Sequence, residues 1–259
     1  MCIVYLAINA HDDWPLFIAA NRDEFHNRAS LPAAPWPDHP DVIAGVDCQA
    51  HGTWLGVTRQ GRYAFLTNYR DPGRNIAQAP SRGALVSHFL TGRQPTASYA
   101  QSVQGSKDAY NGFNLVVGDL SGACYIGNRT PQTKPQTLRS GERHVLSNHL
   151  LDTPWPKAER LRLALDLFSL ERLNDTLTPV FEMLKDSTQA EDTVLPSTGI
   201  PLARERLLSS PFVISLDYGT RCSTIVAVHA SGRAIFSETS YDFAGDITER
   251  HDWPFLIEK

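Results

Sequence analysis

The residue best suited to covalent chemistry stands second in the chain. Cys2 carries a thiol, and an initiator methionine is normally removed when a residue as small as cysteine follows it. Loss of Met1 would leave Cys2 with a free α-amine beside its thiol. The thiol titrates at about 8.5 and the amine at about 7.7–8.0, so at neutral pH the amine can take the thiol proton. Nucleophile and base would then share one residue. The plainer reading is a cysteine that begins a buried strand, since cysteine is among the most buried residue types. Position alone leaves both open.

The second group is Asn21-Arg22-Asp23-Glu24. An arginine beside a thiol lowers its pKa, and an aspartate beside an α-amine orients it. The same four residues also read as an ordinary charged turn, whose ion pairs would add little to stability.

Bringing the two groups together requires a hairpin. Cys2 to Asn9 and Leu16 to Ala20 are β-rich runs separated by His11-Asp12-Asp13-Trp14-Pro15, a turn-like stretch. Antiparallel pairing across that turn places Cys2 near residues 21–24, give or take a position. Three further hairpins are predicted: Thr53–Thr58 with Tyr63–Thr67, Phe113–Asp119 with Ala123–Gly127, and Thr224–His229 with Ala234–Thr239. Ser81 is placed as the N-cap of a helix over Arg82–Leu90, closed by Gly92. A second helix runs from Pro156 to about Phe168. Leu177, Val180, Phe181 and Leu184 form an amphipathic stripe, read as core packing. Residues Ser187 to Pro201 read as loop, with another hairpin expected to follow. The expected architecture is α+β, with antiparallel sheets packed face to face and helices outside, as one domain over residues 1–259.

Composition narrows the function. The 259 residues are 42% hydrophobic and 20% charged, enough apolar mass for a core, and the net charge of −4 contains no run of like charges. Neither nucleic acid nor an anionic membrane is an expected partner. No run approaches the roughly 20 apolar residues of a membrane span. Four cysteines without a CxxC pair point to a reducing compartment, so the expected address is cytoplasmic. There is no GxSxG, phosphate loop, HExxH or zinc-type spacing, and His144 and His149 stand five apart. No metal is expected.

Several motifs carry a resemblance. Ala20-Asn21-Arg22-Asp23-Glu24, Gly52-Thr53-Trp54-Leu55-Gly56-Val57, Thr67-Asn68-Tyr69-Arg70-Asp71-Pro72 and Ser81-Arg82-Gly83 follow Met-Cys-Ile-Val at the start. Gly112-Phe113-Asn114-Leu115, Leu146-Ser147-Asn148 and Gly219-Thr220-Arg221 complete the series. Together they resemble the NRDE family of transport-and-Golgi-organisation type proteins, in order along nearly the whole chain.

The resemblance implies the four-layer αββα sandwich of N-terminal-nucleophile hydrolases. It extends more faintly to that superfamily's cysteine amidases, which cleave penicillin V and conjugated bile salts. By that likeness Cys2 matches the nucleophile and Arg22 the arginine flanking it. Asn68 and Asn148 match two asparagines lining the site, and Arg221 a later arginine there. Asp23 departs from the amidase pattern, in which the aspartate stands further from its arginine. Asn68 would donate to a tetrahedral oxyanion, and Asn148 would hold substrate or the Cys2 backbone. Trp54, Tyr69 and Arg70 would meet the ligand. The family is also associated with haem handling and acyl-CoA metabolism. Two functions therefore stand side by side. One is hydrolysis or acyl transfer on a small acylated substrate, with no cofactor required. The other is non-catalytic carriage of haem or an acyl lipid in the same cleft.

Overall fold

The computed structural model describes residues 2–258. Its strands are β1 (Cys2–Ile8), β2 (Leu16–Phe25), β3 (Ser30–Trp36), β4 (His39–Asp47), β5 (Leu55–Thr58) and β6 (Tyr63–Asn68). Then come β7 (Phe113–Asp119), β8 (Gly122–Gly127), β9 (Gln136–Leu138), β10 (Arg143–Leu146), β11 (Tyr218–Val228), β12 (Arg233–Tyr241) and β13 (Ile247–Leu256). The helices are α1 (Gly83–Thr91), α2 (Thr96–Ser106), α3 (Pro156–Asp166), α4 (Thr178–Leu184) and α5 (Leu202–Leu207).

Two sheets form. One runs β10-β1-β2-β11-β12-β13 and the other β3-β4-β5-β6-β7-β8-β9. Each pairing is antiparallel. Strand alternation explains the layering. Val4, Leu6 and Ile8 of β1 turn into the space between the sheets, where they meet Val57, Phe65 and Val116. Ile3, Tyr5 and Ala7 turn the other way, onto Leu161 and Leu165 of α3 and Val180 and Leu184 of α4. In the second sheet Ala64, Leu66, Leu115 and Val117 point outward beneath α1 and α2. Both faces of each sheet are thus covered, which is why the β1 sequence is apolar at nearly every position. The arrangement is the αββα sandwich that the sequence implied.

All four predicted hairpins are present. Two local expectations are corrected. The first helix begins at Gly83, with Arg82 at the N-cap position and no side-chain cap. Ser81 contributes its carbonyl instead, accepting the Ala84 N–H at 3.2 Å. Residues 187–201 hold only the short turn Asp192–Val194, and α5 rather than a hairpin comes next. Among the described residues, no helix is long and apolar enough to cross a membrane.

Candidate active site around Cys2

The β1–β2 register sets Cys2 directly across from Arg22, and the β2–β11 register sets Cys222 across from that same arginine. Alternation then sorts the neighbours of Arg22. Arg22 turns between the sheets, where its guanidinium stacks 4.3 Å from the Trp54 ring centroid and lies 3.6 Å from Asp47. Asn21 turns toward the helices and donates to the carbonyls of Leu184 (2.8 Å) and Pro211 (2.9 Å). Asp23 is likewise buried, and its Oδ1 accepts the Thr220 hydroxyl at 2.8 Å.

A cavity of about 230 Å³ opens here. Cys2, Arg22 and Asp23 form one side, while Trp54, Asn68 and Arg82 contribute from the other sheet and the start of α1. Arg28, Glu24 and Asp47 complete the charged rim, with Arg28 Nε donating to Asp47 at 2.7 Å. The apposed glycines Gly52 and Gly83 allow the approach of the α1 segment. A Cβ at Gly52 would stand 2.6 Å from the Gly83 carbonyl carbon.

Burial dominates the electrostatics. It pushes the Cys2 thiol above its ordinary pKa, with Asp23 and Glu24 adding to the rise and Arg22 opposing it. Cys222, enclosed beside Glu238, is held well above its ordinary value by burial. Burial also raises the Asp23 carboxyl, against the pull of the Lys157 ammonium and the Thr220 hydroxyl. Lys157 itself is pushed down to about 8 by burial.

The predicted residues divide. Cys2, Arg22, Asp23, Asn68 and Trp54 border the one cavity. Asn148 is fully buried behind it, with its amide engaged by protein: Nδ2 donates to the Asn68 carbonyl at 3.0 Å, and Oδ1 accepts from Lys157 at 3.2 Å. It reaches the Cys2 backbone through Ser147, whose hydroxyl lies 3.1 Å from the Cys2 carbonyl oxygen. Arg221 is placed elsewhere. The β2–β11 ladder skips a position between Thr220 and Cys222, and this bulge turns Arg221 aside. Its Nη1 donates to the carbonyls of Phe25 and His26 at 3.1 and 3.0 Å, and it lines a separate cavity of about 260 Å³ with Cys222 and Glu238. Tyr69 packs against His149, and Arg70 pairs with Glu205 at 2.5 Å while lying over Trp155. Neither borders the Cys2 cavity.

Sequence reasoning missed Lys157 and gave Arg82 no role. The signal for Lys157 was present: a lysine directly after the proline that opens α3, where the helix dipole disfavours a cation. Among the described residues, no group of three or more His, Cys, Asp or Glu is arranged to hold a metal.

A family model described as "Transport and Golgi organisation 2" matches residues 1–242. The chain belongs to this family. Within the Transport and Golgi organisation 2 family, the human "Transport and Golgi organization protein 2 homolog" is 36% identical over 262 residues, covering 93% of each chain. The mouse "Transport and Golgi organization 2 homolog" is 35% identical over 262 residues, again covering 93% of each. Among solved structures, the chain is similar to a Caenorhabditis elegans ortholog of N-acylethanolamine-hydrolyzing acid amidase. That match has 13% identity and a TM-score of 0.46, covering 86% of this chain and 92% of the other.

Proposed function

We propose that the cavity beside Cys2 cleaves the amide of a small acylated substrate, or transfers its acyl group, with Cys2 as the nucleophile once Met1 is removed. Met1 lies outside the described residues. The observation that carries this reading is the convergence of Cys2, Arg22 and Asn68 on one cavity from positions distant in sequence. Because burial raises the thiol pKa, attack needs a base at the moment of reaction, and the Cys2 α-amine would be that base. The sulfur bonds to the carbonyl carbon, and the amine takes the thiol proton. That proton then passes to the leaving nitrogen as the C–N bond breaks, leaving a thioester. Water, or an acceptor in acyl transfer, resolves it. The Asn68 side-chain amide would donate to the oxyanion, and Trp54 would flank the acyl chain.

Intact-mass measurement combined with turnover tests this reading. Protein from its native host should lack Met1 and nothing more, and should turn over at least one small acyl-amide. Cys2→Ala and Cys2→Ser should lose turnover while still binding product. Uniform retention of Met1 would end the proposal.

A second reading, carriage of haem or an anionic acyl ligand, is favoured by the arginines. Nη1 of Arg22 is buried without a hydrogen-bond partner among the described residues, and Arg28 and Arg82 border the same cavity. Under carriage without cysteine ligation, Cys2→Ala would keep full binding and Arg22→Ala would weaken it. The setting proposed for either reading is the cytoplasm, where four free thiols would stay reduced.

A further inference from the structure

Lys157, the second residue of α3, is 1% exposed. Burial strips its ammonium of water, and the first turn of a helix is the positive end of the dipole. Its Nζ donates not to a carboxylate but to Asn148 Oδ1, at 3.2 Å. Asp23 from β2, Glu205 from α5 and, once ionised, Cys2 from β1 face it with attractive charge, and Arg70, just beyond β6, with repulsive charge.

A shared proton links this lysine to the nucleophile. Asn148 Oδ1 has a second donor within reach, the Ser147 hydroxyl at 3.2 Å. That hydroxyl also stands 3.1 Å from the Cys2 carbonyl oxygen, and it has only one proton to give. Nδ2 of Asn148 is committed to the Asn68 carbonyl, so the amide cannot turn to relieve the competition.

We propose that Lys157 is a positioning residue for the nucleophile. By supplying the donor to Asn148 Oδ1 it leaves the Ser147 proton to the Cys2 carbonyl, and its ammonium charge faces Asp23 and the Cys2 thiol. This rests on Cys2 being the nucleophile of the proposed reaction. It links the start of α3, in the outer helix layer, to the strand end that carries the thiol. With Lys157 charged, the Cys2 thiolate is favoured against burial and against Asp23 and Glu24, alongside Arg22 and Arg82. Lys157 loses its proton at about 8, so this support fades just above neutral pH.

The test is the pH profile of Cys2 labelling by iodoacetamide, read peptide by peptide with mass spectrometry, in wild type, Lys157→Met and Lys157→Gln. Both variants should slow Cys2 labelling roughly three- to tenfold at neutral pH, where wild-type Lys157 is charged, and the gap should close as pH rises past about 8, where it becomes neutral. The Met variant should do so without lowering the melting temperature, because it replaces a costly buried charge with an apolar chain of similar length. A purely structural lysine would give the opposite pair: a lowered melting temperature and an unchanged labelling rate at neutral pH. That result overturns the proposal. Should both variants fail to fold, wild type decides. Its labelling curve should be shallower than that of a single group, because Lys157 and Cys2 titrate together. A simple one-group curve overturns the coupling. Labelling reports the thiol whether or not any amide is turned over, so a failed substrate screen leaves this test standing.

Discussion

Cys2 and Arg22 are direct cross-strand partners, the thiol at the first position of β1 and the guanidinium on the interior face of β2. The arginine is fixed by stacking on Trp54 and by Asp47, so its charge is held beside the sulfur rather than free to swing away. It works against the burial that raises the Cys2 pKa. Arg22→Met should therefore move the Cys2 labelling midpoint upward. Asp47 keeps Arg28 as a partner, so the stability loss should be limited to about 1–3 kcal/mol, from lost stacking and one charged contact. Urea denaturation measures the second effect and thiol labelling the first. A Cys2 midpoint unmoved in Arg22→Met would remove Arg22 from the chemistry.

Asn68 stands at the end of β6, with its carbonyl tied to Asn148, and it borders the cavity, where its side-chain amide is the proposed oxyanion donor. If that amide donates to the oxyanion, Asn68→Ala should lower kcat by about a hundred- to a thousandfold with little change in KM. Asn68→Asp should be at least as damaging, since it sets a carboxylate where negative charge develops. Equal losses in binding and turnover would instead make Asn68 a ligand contact.

Much of the site could be read from the sequence, for a local reason. The Cys2–Arg22 neighbourhood depends on one hairpin whose strands are marked by apolar runs and whose turn is marked by His11 to Pro15. What failed depended on events the sequence does not signal. A one-residue bulge removed Arg221 from the cavity, and side-chain periodicity cannot announce a bulge. Lys157 arrives on a helix far along the chain, and only the tertiary fold sets its Nζ beside Asn148. β3 was missed because Pro32 and Pro35 argue against a strand, yet it is an edge strand, where proline is tolerated. β13 was missed because its run of Glu249, Arg250, His251 and Asp252 lies at an edge of the other sheet, largely exposed.

Gly45 offers a test of the Trp54 wall from outside the cavity. A Cβ at this position would lie 2.3 Å from Trp54 Cη2 and 2.6 Å from Cζ2. The indole is rigid, so it must shift as a whole, and Arg22 rests on it. Gly45→Ala should cost about 1–3 kcal/mol by overpacking and should also change Cys2 labelling, although residue 45 does not border the cavity. Destabilisation with an unaltered labelling rate would show that Trp54 can move without disturbing Arg22.

Lys157 also predicts how stability depends on pH. Lysine titrates at about 10.4 in an unfolded chain. In the folded protein burial lowers Lys157 to about 8. Between those values the unfolded state binds the extra proton, so this group makes stability rise with pH. Below about 8 both states are protonated and the whole penalty is present, on the order of 3 kcal/mol. The thiols of Cys2, Cys124 and Cys222 act in the opposite sense. Burial raises their folded pKa, so above about 8.5 the unfolded chain ionises first and stability falls. The net curve of wild type thus mixes two slopes, and comparison with Lys157→Met separates them. At neutral pH the variant should be the more stable, by up to about 3 kcal/mol less the value of the lost bond to Asn148. That advantage should shrink as pH rises from about 8 and be nearly gone by about 10.4, where wild-type lysine is neutral in the folded state and half ionised in the unfolded one. Urea denaturation of the two proteins at neutral pH and at about pH 10 measures the gap. A gap equal at both pH values would mean that the ammonium is not penalised by burial, and that the Met variant acts through packing alone.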